Sequence, residues 1–278
     1  MTFAKEWNRD AWSHRVVRKG LTWEWSSTPP PFRPFLQQST PQLDEFVSDL
    51  LSAGAIQRTN SLNFQGPLFS VPKKNSTKRR VILDLSTLNK SIFCPTFRMT
   101  TLQDVKSLLP VGAFTTSIDL KDAYWHVPVH RHFGKFLGFS INGKKYCFRA
   151  MPFGLNVAPR IFTKICRPIV RELRLKGINL LVYLDDWLVW GATEEECREA
   201  TRVVLDTLMK RGFLVNWEKS RLEPSRIFQW LGVQWDTLSA MMSLPPDKVE
   251  SVTQDLCACA AHRVPGIREG GLIPEDIP

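Results

Sequence analysis

The chain has 278 residues, 43% of them apolar, 11% aromatic and 23% charged. That composition excludes a disordered tail, a collagen-like polymer and a disulfide mini-protein, and the length predicts one large domain or two small ones. Lys and Arg outnumber Asp and Glu 37 to 27, and residues 1–110 hold most of the excess, net +7 from 15 basic and 8 acidic residues. A local positive field suits a polyanion such as nucleic acid, although a solubilising surface has the same charge count. No run approaches eighteen apolar residues, so no membrane span is expected, and the N-terminus lacks the apolar core of a signal peptide. An intracellular protein of cytoplasm or nucleus, not a secreted one, is the expectation. The six cysteines, at 94, 147, 166, 197, 257 and 259, form no CxxC pair and read as reduced core thiols.

Residues 1–40 read as an irregular Trp- and Pro-rich arm whose tryptophans (Trp7, Trp12, Trp23, Trp25) dock on the body. Pro41 opens a helix with Leu43, Phe46, Val47, Leu50 and Leu51 at helical spacing, stopped by Gly54. Phe69–Val71 and Val81–Leu85 read as strands of a hairpin, joined by a loop with five basic residues in eight between Lys73 and Arg80. Thr101 and Asp104 form a capping pair for a short helix ending at Pro110.

Phe114–Leu120 is an apolar strand carrying Asp119 near its end. His126, His130 and His132 could hold a metal, but no cysteine or carboxylate stands at ligand spacing beside them. Phe136–Ile141 and Lys144–Phe148 flank Asn142-Gly143, a strong hairpin signal. Pro159 opens a helix with Ile161, Phe162, Ile165, Ile169 and Leu173 on one face, with Pro168 as a kink point. Two apolar strands then meet at Asp185-Asp186. Thr193 and Glu196 cap a helix through Arg211, and Ile227–Trp235 reads as a last strand. Two central strands joined by a tight turn favour an α+β fold with an antiparallel sheet over a doubly wound parallel one.

The chemistry concentrates on Asp119, Asp185 and Asp186. Carboxylates among apolar strands are expensive without counter-charge. Turn propensity alone explains the Asp pair but not Asp119. Hard divalent cations explain all three, because Mg²⁺ takes carboxylate, phosphate and water oxygens, and two such ions can clamp an in-line phosphoryl transfer. The basic loop can hold a triphosphate beside them. Together they point to nucleotidyl transfer on nucleic acid. A metal-dependent nuclease also clusters carboxylates, but it gives the basic loop no purpose.

Six motifs then stand in family order: Arg79–Lys90 (RRVILDLSTLNK), Ile118–Tyr124 (IDLKDAY), Met151–Pro159 (MPFGLNVAP), Tyr183–Asp186 (YLDD), Asn216–Lys219 (NWEK) and Trp230–Gly232 (WLG). Over about residues 40–236 the chain resembles retroelement reverse transcriptases, most closely their Ty3-like and DIRS-type branch. The Trp-rich start and the string Tyr124–Val129 carry the DIRS-type likeness. The resemblance implies a right-hand polymerase: mainly fingers over 41–118, mainly palm over 119–236 with a fingers hairpin inserted at 135–150, and a partial thumb or connection remnant over 237–278. A full thumb does not fit in those last residues, and no RNase H domain is visible in them. It further implies RNA-directed DNA polymerase activity on a retrotransposon's RNA or DNA template-primer with dNTPs and two Mg²⁺ ions, Mn²⁺ being an alternative.

By the same resemblance Asp119, Asp185 and the Leu120 carbonyl ligate metal and Asp186 assists. Lys73 and Arg80 grip the triphosphate. Tyr124 gates against a ribose 2′-hydroxyl, while also reading as a buried palm aromatic. Phe153, where retroviral relatives carry glutamine, marks the Ty3-like and DIRS-type groups and gives the nucleotide no side-chain hydrogen bond. Gly154 lets backbone approach the nucleotide. Lys219 matches a lysine that protonates pyrophosphate, or is a surface lysine. Trp230, Leu231 and Gly232 match the primer grip, or an apolar strand end. A catalytically inactive nucleic-acid-binding remnant is the alternative function. Oligomeric state is not legible.

Overall fold

The computed structural model describes residues 4–7, 10–72, 79–246, 248–250 and 253–254. The basic loop with Lys73, the expected helix beyond Asp247, Cys257 and Cys259 and the final segment lie outside these residues or only partly within them.

The first forty residues are not wholly irregular. After a 3₁₀ turn at Ala4–Trp7, helix α1 spans Ala11–Lys19, with the Asp10 carboxylate accepting from the Ser13 N–H at 2.7 Å. Its few apolar positions give the sequence no helical period here, and the Pro29–Pro31 brake dominates the segment. The tryptophans do dock: Trp7 packs edge-on to Phe213, and Trp23 meets Trp25 and Phe133.

Helix α2 (Pro41–Ser52) opens at Pro41, as its sequence predicts, and is capped by the Thr40 side chain, which that reading did not name. Strands β1 (Ile56–Arg58), β2 (Leu68–Pro72) and β3 (Arg79–Leu83) follow, then the short helices α3 (Ser86–Asn89) and α4 (Leu102–Leu108). At α4 the full Thr101–Asp104 capping box is present. β2 and β3 form the expected antiparallel hairpin. The Gln37 amide brackets β2, donating to the Leu68 carbonyl at 2.6 Å and accepting from its N–H at 2.9 Å, so the N-terminal arm is stitched to this region.

Strand β4 (Phe114–Asp119) leads through a 3₁₀ turn at Ala123–His126 to a helical turn, α5 (Arg131–Gly134). Strands β5 (Gly138–Ile141) and β6 (Lys144–Phe148) make the Asn-Gly hairpin, with φ of 48° and 75° at Asn142 and Gly143. β1 joins its edge to give the order β1-β6-β5. β5 begins two residues later than its sequence suggests, since α5 and its following turn occupy the approach.

Helix α6 (Ala158–Leu175) carries Pro168 inside it. Strands β7 (Asn179–Tyr183) and β8 (Asp186–Gly191), helix α7 (Glu194–Lys210) and strand β9 (Arg221–Ser225) complete a sheet in the order β7-β8-β4-β9, antiparallel throughout. At α7 the Thr193 hydroxyl caps the Glu196 N–H, but the Glu196 carboxylate reaches the N–H of Ala192 rather than that of Thr193.

Ile227–Trp235 is two strands, not one. β10 (Ile227–Trp230) and β11 (Val233–Asp236) fold back at Leu231-Gly232, and β12 (Met241–Ser243) adds a third strand. Both turn residues have positive φ, 51° and 74°. Leucine in that conformation costs about 1–2 kcal/mol, so the sequence gives no turn signal there.

The β7-β8-β4-β9 sheet is buried on both faces. Leu180, Trp187 and Val189 face the main core with α6 and α7. Leu181, Leu188 and Trp190 face a second, smaller core with Phe228, Trp230 and Trp235. This explains an unbroken apolar run where a half-exposed strand would alternate. Cys147, Cys166 and Cys197 are buried and reduced, but Cys94 is exposed, against the expectation of core thiols. No helix among the described residues is long and apolar enough to cross a membrane.

At Gly66 an added Cβ would lie 1.9 Å from the Asp84 carbonyl oxygen, a backbone atom that cannot swing aside. Gly66→Ala is therefore expected to cost about 3 kcal/mol, the upper end for overpacking, read as a lower midpoint in denaturant unfolding.

Candidate active site

The antiparallel register between β4 and β8 pairs Asp119 directly with Asp186, and that between β7 and β8 pairs Tyr183 with Asp186. Directly opposed residues have Cβ atoms about 5 Å apart, so two carboxylates face one another across the ladder. Asp185 is in the β7–β8 turn, after Leu184 with φ 54°. Its carbonyl accepts from the Leu120 N–H at 3.0 Å, tying the turn to the end of β4.

The segment after α7 closes the other side. The Asn216 N–H donates to the Asp119 carbonyl at 2.8 Å and the Lys121 N–H to the Leu214 carbonyl at 2.8 Å. These two bonds straddle Leu120. Its own carbonyl accepts no backbone bond among the described residues. The Ser220 hydroxyl accepts from the Asp119 N–H at 3.0 Å. Lys219 reaches to 4.0 Å from the Asp119 carboxylate, which is largely buried.

The charge is unbalanced. Burial, then Asp185, then Asp119 push the Asp186 carboxyl up to about 6 from 3.8, with Lys219 pulling weakly the other way. Asp119, Leu120 and Asp185 line a cleft of about 670 Å³ together with Phe153, Trp217 and Lys219. Asp186 does not line it. Tyr124 lies behind it, buried, its ring 5.0 Å from that of Phe153 and 5.7 Å from that of Phe162. Burial, with the Asp185 and Tyr183 charges, pushes its hydroxyl up to about 12.

Gly154, with φ 95°, turns so tightly under β3 that a Cβ would meet the Leu83 carbonyl oxygen at 2.8 Å. Asn89 holds this loop. Its amide nitrogen donates to the Gly154 carbonyl at 2.7 Å, and its amide oxygen accepts from the Asn156 N–H at 3.0 Å. Thus Asp119, Leu120, Asp185, Phe153 and Lys219 converge on one cleft. The Trp230–Gly232 turn stands apart from it, at the second core. Arg80 is in β3, paired with Val71, and Lys73 falls outside the described residues.

Nothing local in the sequence marks Asn89 or Ser220 for these contacts, although Asn89 lies within the Arg79–Lys90 motif and Ser220 follows Lys219 directly. His126 is no metal ligand. It is largely buried, its Nδ1 bonds the Ala123 carbonyl at 3.1 Å and its Nε2 accepts from the Leu214 N–H at 2.9 Å, both structural contacts.

Whether a divalent ion fits can be judged from the donors. An aspartate pair, an unengaged carbonyl on the same cleft and an excess of negative charge make a hard-oxygen set that suits Mg²⁺. The set is not drawn tight: among the described residues no three His, Cys, Asp or Glu side chains already form a metal-binding group.

A family model described as "Reverse transcriptase (RNA-dependent DNA polymerase)" matches residues 71–235, and the chain belongs to that family. The Pro-Pol polyprotein of Simian foamy virus type 1 is 25% identical over 199 residues, 72% of this chain and 17% of that protein. The Pol polyprotein from transposon gypsy of Drosophila melanogaster is 29% identical over 180 residues, 63% of this chain and 17% of that protein. The chain thus spans about a sixth of the length of these relatives. The solved foamy viral protease-reverse transcriptase dRH in complex with ds DNA matches with TM-score 0.71 at 22% identity, covering 82% of this chain and 39% of that one. Its counterpart in complex with RNA/DNA hybrid gives 0.68 at 20%, covering 85% and 32%. The mixed α/β fold with antiparallel sheets therefore resembles the fingers and palm of foamy viral reverse transcriptase.

Like charges directly opposed across a ladder destabilise it. Asp186→Asn should raise the thermal midpoint in metal-free buffer at neutral pH by a few degrees, on the order of 1 kcal/mol, as measured by calorimetry. A lower midpoint would show that Asp186 is paired more strongly than it is repelled.

Proposed function

We propose that the chain is the RNA-directed DNA polymerase part of a retrotransposon of the Ty3-like or DIRS-type branch. In this reading it adds dNTPs to a primer 3′-hydroxyl on an RNA or DNA template, in the cytoplasm or nucleus where element RNA is copied. Residues 41–118 serve mainly as fingers, 119–236 mainly as palm and 237–278 as a thumb or connection remnant. The observation that carries the reading is the Asp119–Asp186 cross-strand pair with Asp185 beside it, at the edge of a cleft wide enough for a nucleotide.

Asp119, Asp185 and the Leu120 carbonyl would hold Mg²⁺ or Mn²⁺, with Asp186 orienting the set. Divalent ions bound there neutralise phosphate charge and lower the cost of ionising the attacking hydroxyl. The protein's own groups do the positioning. Lys73 and Arg80 take the triphosphate, arginine by a bidentate fork. Phe153 and Gly154, held by Asn89, form a wall with no side-chain donor toward the sugar. Tyr124 backs Phe153 and sets how far the sugar can sink, so a 2′-hydroxyl meets a ring. Lys219, more than half exposed and next to Asp119, is placed to give a proton to the leaving pyrophosphate. The Trp230–Gly232 turn would steady the primer.

One observation favours a second reading, a nucleic-acid-binding chain without turnover: the carboxylates are not already gathered into a metal-binding group. Primer extension with and without Mg²⁺ separates the two, because template-primer binding without incorporation belongs to the second alone.

Asp185→Asn is expected to lower Mg²⁺-dependent primer extension by at least about a thousandfold, roughly 4 kcal/mol, with an unchanged circular dichroism spectrum. Extension at the wild-type rate would sink the polymerase assignment. Tyr124→Val should reduce discrimination against ribonucleotides about tenfold, near 1.4 kcal/mol, measured as the ratio of single-nucleotide incorporation efficiencies. An unchanged ratio would leave Tyr124 a packing residue only.

A further inference from the structure

Helix α6 has two faces of different chemistry. Ile161, Phe162, Ile165, Cys166, Ile169 and Leu173 are buried against the sheet. Arg160, Lys164, Arg167 and Arg171 follow one another at spacings of four, three and four on the other side, a row about 16 Å long. Arg167 and Arg171 are exposed, and neither they nor Arg160 have a carboxylate partner among the described residues.

Three acids, Glu6, Asp10 and Glu172, lie along one flank of the row; Glu6 is exposed, and the other two are engaged elsewhere. Glu172 bonds both Lys176 and Arg211. Asp10 caps α1 through the Ser13 N–H. Lys164 stacks over the Trp12 ring at 4.1 Å, and burial, then Arg160, hold its ammonium below the usual lysine range. Asp10 offsets part of the charge at Lys164, but Arg160, Arg167 and Arg171 keep no ion pair among the described residues, and such a row attracts anions.

The row is also grooved on both flanks. A groove of about 540 Å³ is lined by Lys164, Arg167 and Arg171 with Trp7, and by the acids Glu6, Asp10 and Glu172. Another, of about 440 Å³, is lined by Arg167, Arg171 and Arg174 together with Val170 and Val182, and includes Leu184, the residue before Asp185.

We propose that the outward face of α6 binds the phosphate backbone of a single nucleic-acid strand, at a site separate from the cleft that holds Asp119 and Asp185. A single row of guanidinium groups fits a line of phosphates, which a strand presents about every 3.4 Å along its axis. Arginine suits phosphate because its fork bonds two oxygens at once. A membrane surface would instead call for a plane of cations with several apolar side chains to insert, and on this face only Leu175 is broadly exposed. Which strand is bound, template or displaced, rests on the polymerase reading. The anion chemistry does not.

The test is anisotropy of a labelled oligo(dT) titrated with the full chain in metal-free buffer between about 50 and 200 mM salt. The double variant Arg167→Ala/Arg171→Ala should bind about tenfold more weakly, with a log–log salt slope shallower by about 1.4. Arg167→Lys/Arg171→Lys should restore most of that slope, since charge is retained. A double alanine variant with the wild-type slope and a wild-type melting midpoint overturns the proposal. So does unchanged oligo(dT) binding accompanied by lost binding to phosphatidylserine vesicles, which assigns the row to a membrane. Primer extension by the wild-type chain is assayed separately. Absent extension with a slope that responds to the arginines would end the polymerase reading and leave the strand site standing.

Discussion

The cross-strand pairing of Asp119 with Asp186 is the constraint on which the rest depends. Two carboxylates opposed in a ladder repel, and the sheet must hold them there regardless. It does so by position. β4 is bonded on both edges, to β8 and β9, and Trp187, Leu188 and Val189 just beyond the acids are completely buried. A one-residue slip would relieve the acids but turn each of those apolar side chains to the wrong core. The packing of two cores against one sheet therefore fixes the register, and the register fixes the acids.

Because the strands are consumed by packing on both faces, only their ends are available for chemistry. The backbone beyond Asp119 shows how such an end is finished. Asn216 and Lys121 supply bonds on either side of Leu120, the Asp185 carbonyl takes the Leu120 N–H, and Ser220 takes the Asp119 N–H. The Leu120 carbonyl is left out of the ladder, and Leu120 lines the cleft beside Asp119 and Asp185. An acceptor outside the ladder beside two carboxylates is the kind of oxygen a hard cation takes, and Lys121, Asp122, Glu218 and Lys219 make the rest of the cleft polar as well.

Much of this was legible in the sequence because local chemistry and tertiary packing agree. Asn142-Gly143, the Thr101–Asp104 box and Pro41 each carry a signal that depends on a few adjacent residues, and the acid pair marks the β7–β8 connection, although the turn itself falls on Leu184 and Asp185 and Asp186 already belongs to β8. The elements that escaped lack one. β1 has three residues, and β9 contains Pro224 and two charged side chains, so neither has a strand's apolar pattern. The Leu231-Gly232 turn asks a leucine for a left-handed backbone, which only the packing of Trp230 and Trp235 enforces. Asn89 illustrates the same limit at the site. Its residue type and motif were visible, but its partners lie sixty-five and more positions away, and no local pattern shows which carbonyl an amide will find.

α6 serves two demands that a single helix seldom meets at once. Its apolar face must cover the sheet that sets the acids, so that face is unavailable to any ligand. Its outer face is then free to be charged at no cost to the core, and the long arginine stems can lie along the flanking grooves while their heads stay in water. Pro168 belongs to this outer side, between Arg167 and the buried Ile169, where the backbone bond it cannot make is lost near solvent rather than in the core. One face of the helix therefore packs beside β7, the strand that leads into the turn carrying Asp185, while the arginine row lies on the other face and leaves that packing undisturbed.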